Sequence, residues 1–158
     1  MSTGDVTGER EVTRALFLGE RDCEPERWTM SATDQLAGER EVIRALFEAL
    51  DRADVRAVTA HLHEDVVVTL SNRQPIRGAA AFAELYAQVA GTVAGVRHEI
   101  HDIWGAADDP AIWIARMTVH YTRLDGKTVS LPCCNVFRFA GAYVADYQVF
   151  MDMTPVLA

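Results

Sequence analysis

Apolar residues recur along the chain with two different periods, and the change falls near Gly95. Upstream, Ile43, Leu46, Phe47 and Leu50 stand at i, i+3, i+4 and i+7, the spacing that lines one face of a helix. The pattern predicts a first helix from about Asp34–Gln35 to Asp51–Ala53. Asp54 can cap a second, short helix that reaches about Leu62 and buries Val55, Val58 and Leu62. The β-branched run Val66–Leu70 reads as a strand. Ser71–Gly78, with Pro75 and Gly78, reads as a loop. Phe82, Leu85, Tyr86 and Val89 restore the helical spacing and predict a third helix from Ala79 to about Ala90.

Downstream of Gly95 the pattern becomes that of strands. Val96–Trp104, Ala111–Thr122, Lys127–Phe139 and Ala142–Asp152 are separated by turns at Gly105–Pro110, Leu124–Gly126 and Ala140-Gly141. Asp125-Gly126 is a strong hairpin signal. Long strands joined by short turns make an antiparallel meander, and helices must cover one of its faces. The expected fold is a single α+β domain from about Leu36 to the C-terminus, ordered α-α-β-α-β-β-β-β.

The chain also carries a duplication. Gly8–Phe17 (GEREVTRALF) recurs as Gly38–Phe47 (GEREVIRALF) with one difference, Thr13 against Ile43. Each copy follows a Met-Ser pair. A single duplication is not the array of units that a solenoid needs. The second copy runs on into the domain, whereas the first ends in GERDCEPERWTM, rich in charge and holding Pro25. Residues 1–35 are therefore expected to be an appended, loosely held partial copy, or alternatively an arm or lid.

Composition narrows the classes. Of the 158 residues, 49% are hydrophobic and 24% charged, enough for a buried core. The net charge of −8 repels phosphate backbones and anionic lipid, so neither nucleic acid nor membrane is an expected partner. No apolar run approaches the ~20 residues of a membrane span. The first residues lack the basic and apolar regions of a signal peptide, so a cytoplasmic protein is expected. Cys23, Cys133 and Cys134 have no metal-ligand spacing. The adjacent pair on one strand points to opposite faces, which disfavours a mutual disulfide.

The element order, with Ala49-Leu50 and Asp54, Pro75-Ile76-Arg77-Gly78 leading into Phe82 and Tyr86, Gly126-Lys127-Thr128-Val129, Phe137-Arg138-Phe139 and Ala145-Asp146-Tyr147, resembles the nuclear transport factor 2-like superfamily. That group includes ketosteroid isomerases, SnoaL-like polyketide cyclases, limonene-epoxide hydrolase and scytalone dehydratase. The resemblance covers about residues 36–158. It implies a cystatin-like cone, in which a curved antiparallel sheet wraps helices and leaves a deep pocket at the open end.

Strand alternation offers two registers for the last strand. Hydrophobicity alone turns Tyr147, Val149 and Met151 inward. Similarity to ketosteroid isomerase implies the reverse, with Asp146, Gln148 and Phe150 lining the pocket. The outer Tyr/Val/Met stripe would then be covered by a second subunit, and that register is the one expected. The same comparison turns Val129, Leu131, Cys133, Asn135 and Phe137 inward, and puts Asn135 where ketosteroid isomerases carry the acid of their oxyanion hole. Trp113, Met117, Val119 and Tyr121 form the inward set of the strand before it. Phe82 and Tyr86 complete the lining. His98 shares a face with Val96, Ile100, Asp102 and Trp104.

From these residues a proton-transfer site is expected. Asp146 is the candidate base, since desolvation in an apolar cone strengthens a carboxylate as a base. Asn135, with His98 or Tyr121, would donate hydrogen bonds to a developing oxyanion. Gln148, Phe150, Trp113, Met117, Val119, Cys133, Phe82 and Tyr86 would hold the substrate. Core packing accounts equally well for most of them, and a backbone-satisfied asparagine or histidine is the structural alternative. No metal and no cofactor is expected, because His61-x-His63 and His98-x-x-His101 lack matching ligands.

The relatives' own constellations are missing. The isomerase base would fall near Leu70 and its helix-one tyrosine on Leu46. The epoxide hydrolase Arg-x-Asp becomes Arg116-Met117-Thr118, and its last-strand position carries Gln148. Two functions stay open. One is a cofactor-independent cyclase, isomerase, dehydratase or epoxide hydrolase acting on an apolar oxygenated molecule. The other is a non-catalytic binding or dimerisation module of the same fold.

Overall fold

The computed structural model describes the backbone of residues 32–157 and the side chains of residues 38–156. The expectation for the N-terminal copy lies, through residue 31, outside the described residues. Helix α1 (Ala32–Asp51) starts slightly before the predicted point. Ile43, Leu46, Phe47 and Leu50 are all buried, as their spacing requires. Ala53 ends the turn in the left-handed region, at φ +51°. Asp54 then caps α2 (Val55–Ala60), accepting from the Ala57 N–H at 3.0 Å.

Strand β1 (Leu62–Leu70) begins earlier than its β-branched run. The loop after it contains a short strand, β2 (Ile76–Arg77), paired antiparallel with β1. Gly78, at φ +93°, turns the chain into α3 (Ala79–Ala90) while its N–H donates to the Val66 carbonyl at 2.8 Å. A side chain there would be strained by that φ.

Strands β3 (Gly95–Gly105), β4 (Ile112–Thr122), β5 (Thr128–Ala140) and β6 (Tyr143–Phe150) follow by three hairpins. The six strands form one curved sheet in the order β2-β1-β6-β5-β4-β3. The sheet is mixed rather than purely antiparallel, because β1 pairs with β6 in parallel. The α3 crossover carries the chain from β1 to the far edge, and the hairpins step back until β6 meets β1. A last helical turn, α4 (Thr154–Leu157), was not evident from the pattern. Asp152 Oδ1 starts it, accepting from the Thr154 N–H at 2.9 Å. No helix among the described residues is long and apolar enough to cross a membrane.

Register shifts interrupt three pairings, β1–β6, β3–β4 and β5–β6. Each changes which residues face the core. On β6, Val144 and Tyr147 are both buried, with two residues between them, so inward positions before and after the shift belong to different alternation sets. On β3, Ile100 and Ile103 turn inward across the shift. Trp104, expected on the His98 face, therefore points outward at 48% exposure, and Asp102 pairs with Arg116 on the outer face.

Candidate functional site

The sheet, α1, α3 and the C-terminal segment enclose a cavity of about 440 Å³, a size suited to a small organic ligand. Its wall is mostly apolar: Leu50 from α1, Phe82 and Leu85 from α3, Val119 from β4, Val149 from β6 and Met153 beyond it. An aromatic series supports this wall. Phe137 stacks on Tyr147 with ring centroids 4.8 Å apart, and Phe82 meets Tyr147 edge-on.

The polar groups in the wall are few and specific. His98, on β3, lines the cavity, and its ring lies 4.8 Å (centroid to centroid) from that of Phe47. Its Nδ1 is 2.6 Å from Oδ1 of Asp51, the last residue of α1. The His98 backbone N–H also donates to both Asp51 oxygens, at 3.0 and 3.2 Å. An ionised carboxylate can only accept, so Nδ1 carries the shared proton. Nε2 is left without a protein partner among the described residues.

Three phenols stand nearby. Tyr86 donates its hydroxyl proton to the Leu50 carbonyl. Burial, followed by the Asp51 carboxylate, raises its pKa. Burial raises Tyr121 far more strongly, with smaller contributions from Cys133 and Tyr86. Tyr147 is raised well above the ordinary tyrosine value, again mainly by burial. Both Tyr121 and Tyr147 line the cavity as protonated donors, and neither hydroxyl has a hydrogen-bond partner among the described residues. Desolvation pushes the Cys133 thiol up to about 11, against a lowering hydrogen bond from Asn135. It is therefore a small hydrophobe at neutral pH rather than a nucleophile.

Asn135 is in the wall and 1% exposed. Its Nδ2 lies 3.4 Å from both Met117 Sδ and Cys133 Sγ. A thioether offers only lone pairs, so the amide's NH₂ end belongs on that side. Oδ1 is left buried without a partner. The expected donation from Asn135 to an oxyanion is thus corrected, because its donors face sulfur.

The structure brings His98, Tyr121, Asn135, Cys133, Val119, Phe82 and Tyr86 to one cavity. It does not bring Asp146, Gln148 or Phe150 there. Those three lie on the opposite face, where Gln148 Nε2 donates to Asp146 Oδ1 at 3.1 Å and Phe150 is 55% exposed. The reason is the cost of placing a carboxylate and an amide in an apolar cavity when Tyr147, Val149 and Met151 can fill the same wall. Asp146 is accordingly not the base, and the Tyr/Val/Met stripe is not an outer surface. Trp113 and Met117 are buried but do not line the cavity. Among the described residues, no group of three or more His, Cys, Asp or Glu is placed to hold a metal ion.

The sequence reading missed Asp51 and Arg73 in or behind the wall, and it weighed the register that turns Tyr147 inward but preferred the reverse one. Asp51 had a signal. It ends α1, which has no basic residue in its last turn, although the helix dipole disfavours a carboxylate there. An acid kept at such a position points to a partner elsewhere.

Comparison with known proteins agrees with this architecture. The family model described as SnoaL-like domain matches residues 43–147. Among curated proteins there is no significant match. Three similar solved structures illustrate the fold. An NTF2-like protein of unknown function from Burkholderia pseudomallei is 18% identical, with a TM-score of 0.68, covering 76% of this chain and 95% of its own. An LEH-like epoxide hydrolase from M. tuberculosis is 26% identical, with a TM-score of 0.64 and coverages of 74% and 84%. A candidate polyketide cyclase from Xanthomonas campestris is 23% identical, with a TM-score of 0.66 and coverages of 77% and 96%. With its family model matched over most of the curved sheet and its helices, the chain belongs to the SnoaL-like domain family.

Proposed function

We propose that the protein is a cofactor-independent acid–base enzyme acting on a small apolar, oxygenated molecule, with His98 as the proton carrier. The observation that carries this reading is the 2.6 Å contact between Asp51 and Nδ1 of His98, whose ring lines the mostly apolar cavity. Asp51 fixes the ring and its tautomer, which makes Nε2 the basic nitrogen. Nε2 takes a proton from a carbon next to a carbonyl, and the electron pair moves onto the carbonyl oxygen. Tyr121, which burial keeps protonated, donates a hydrogen bond to that developing oxyanion. The proton on Nε2 then returns to another carbon, giving isomerisation, or leaves with a β-hydroxyl as water when the enolate expels it, giving dehydration. Where the enolate carbon instead attacks a second carbonyl carbon of the same molecule, the proton goes to the alkoxide oxygen so formed, giving ring closure. The likeness to an epoxide hydrolase and a candidate polyketide cyclase is compatible with such substrates.

The test is substitution within the pair. His98→Gln is expected to lower kcat on the true substrate by about 10²–10⁴-fold. Asp51→Asn, which leaves the ring but not its carboxylate anchor, is expected to lower kcat with little change in KM. Nitrogen-15 NMR should report a proton on Nδ1 of His98 in the wild type. Turnover unchanged in His98→Gln removes the reading. Wild type that binds such molecules but turns none of them over would favour a second reading, a non-catalytic binding module, motivated by Leu46 and Leu70 standing where the resemblance to ketosteroid isomerases puts their tyrosine and base.

We also infer that two copies pair through the outer face of the sheet, on which Trp104 and Phe150 are exposed alongside Ile114, Cys134 and Val136.

A further inference from the structure

We propose that the ligand of this cavity is an apolar carboxylic acid, held at the mouth by Arg73. This rests on reading the cavity as a substrate site and names the substrate's anionic group. Arg73 lines the cavity together with Ser71, Gln88 and Thr92; Arg73, Gln88 and Thr92 are solvent-exposed, so this group forms a polar rim apart from the buried Tyr121 and Asn135. Among the described residues, Arg52, Arg97, Arg116, Arg123 and Arg138 each pair with a carboxylate. Arg73, like Arg40, Arg44, Arg56 and Arg77, pairs with none among the described residues, and of these five it alone lines the cavity, so its guanidinium is available to a ligand.

The loop that carries Arg73 is held in place. Ser71 adopts φ +52°, a conformation that non-glycine residues avoid. Its N–H donates to the Val149 carbonyl at 2.8 Å, and its hydroxyl to the Met151 carbonyl at 2.5 Å. The Arg73 N–H donates to the Leu70 carbonyl at 3.0 Å. Both Val149 and Met151 belong to the cavity wall. The strained residue thus ties the loop to that wall and sets the arginine over the opening.

Electrostatics fixes the orientation. The chain carries a net −8, so an anion is favoured only beside a local cation. At the other polar position, Asp51 stands behind His98 and would repel a second carboxylate. The ligand therefore enters apolar body first, its oxygenated part meets His98, and its carboxylate stays at the rim. One guanidinium fork matches one carboxylate by two parallel hydrogen bonds.

A matched naphthyl series tests this on the full chain. Calorimetry would compare 2-naphthoate, 2-naphthamide and 2-naphthyl phosphate at neutral pH, in low and in moderate salt. Wild type is expected to bind the acid about three- to tenfold more tightly than the amide, with the difference shrinking in salt. Arg73→Gln should bring the ratio close to one by weakening the acid alone, and Arg73→Lys should retain part of it. Equal wild-type affinity for acid and amide, a preference that survives Arg73→Gln, or no naphthoate binding overturns the proposal. Tighter binding of the phosphate than of the acid overturns the carboxylate assignment. The readout is binding rather than turnover. Arg73→Gln with an unchanged acid preference, beside an inactive His98→Gln, would remove this inference and keep the catalytic one; the opposite pair of results would do the reverse.

Discussion

Cys133 and Tyr121 are both buried in the cavity wall, and both hold their protons longer in the folded chain than in the unfolded one. The thiol moves from its ordinary 9.0 to about 11, and the phenol rises from 10.0 in the same direction. The unfolded chain therefore releases these protons first as pH rises. The stability they contribute is complete below about pH 9 and falls through pH 11 and beyond. Urea midpoints should decline across that window, and Cys133→Ala should flatten the decline between about pH 9 and 11 relative to its own value at about pH 8. A slope identical to wild type would show that the thiol is not desolvated. At this scale the sequence was only partly readable. His98 and Tyr121 could be picked out because polar side chains interrupt an apolar face. Asp51 could not be joined to His98, because 47 positions separate the two and only the folded α1–β3 contact brings them together. Arg73 sits in a loop, where no periodicity says which way a side chain points.

Helices were legible because their period survives from end to end. Ile43, Leu46, Phe47 and Leu50 lie inward as spaced, and Phe82 and Tyr86 meet the cavity from α3. Strand alternation was less reliable because one extra residue inverts everything beyond it. On β6 the irregularity lets Val144 and Tyr147 both turn inward, which no strict period of two allows. It also sends Asp146 outward, against the register that similarity to ketosteroid isomerase implied. Deleting Ala145 would leave Val144 and Tyr147 two positions apart, on one face of a regularly alternating strand. Both would then stay in the core, where exposing either would cost about 1.5–3 kcal/mol. Circular dichroism should show the deletion variant melting within a few degrees of wild type. A melt lowered by ~10 °C or more would mean that the irregularity itself holds the strand in register.

For the whole molecule, the helix-then-sheet order was recoverable, and the cone came with the family resemblance. The mixed character of the sheet was not, since nothing local announces that β1 will lie beside β6. The outer face of the sheet carries the exposed apolar side chains Trp104 and Phe150. Phe150 is 55% exposed there and stands directly opposite Cys134 on β5. If copies pair through this face, light scattering should give twice the chain mass for wild type. Phe150→Glu should reduce that to one chain mass at micromolar concentration while leaving the far-ultraviolet spectrum unchanged. A single chain mass for wild type would remove the pairing.

The parallel contact between β1 and β6 also orders events in time. Val67 and Asp146 are register partners, so the strand made first waits for the strand made last. While the chain emerges from a ribosome, β1 and β2 have no long neighbour until β6 has been synthesised. Contacts so distant along the sequence slow folding, because a large loop must close before they form. The nascent chain then exposes an apolar strand, Val66-Val67-Val68, until β6 follows. A cell making this protein must shield that strand until the final hairpin arrives.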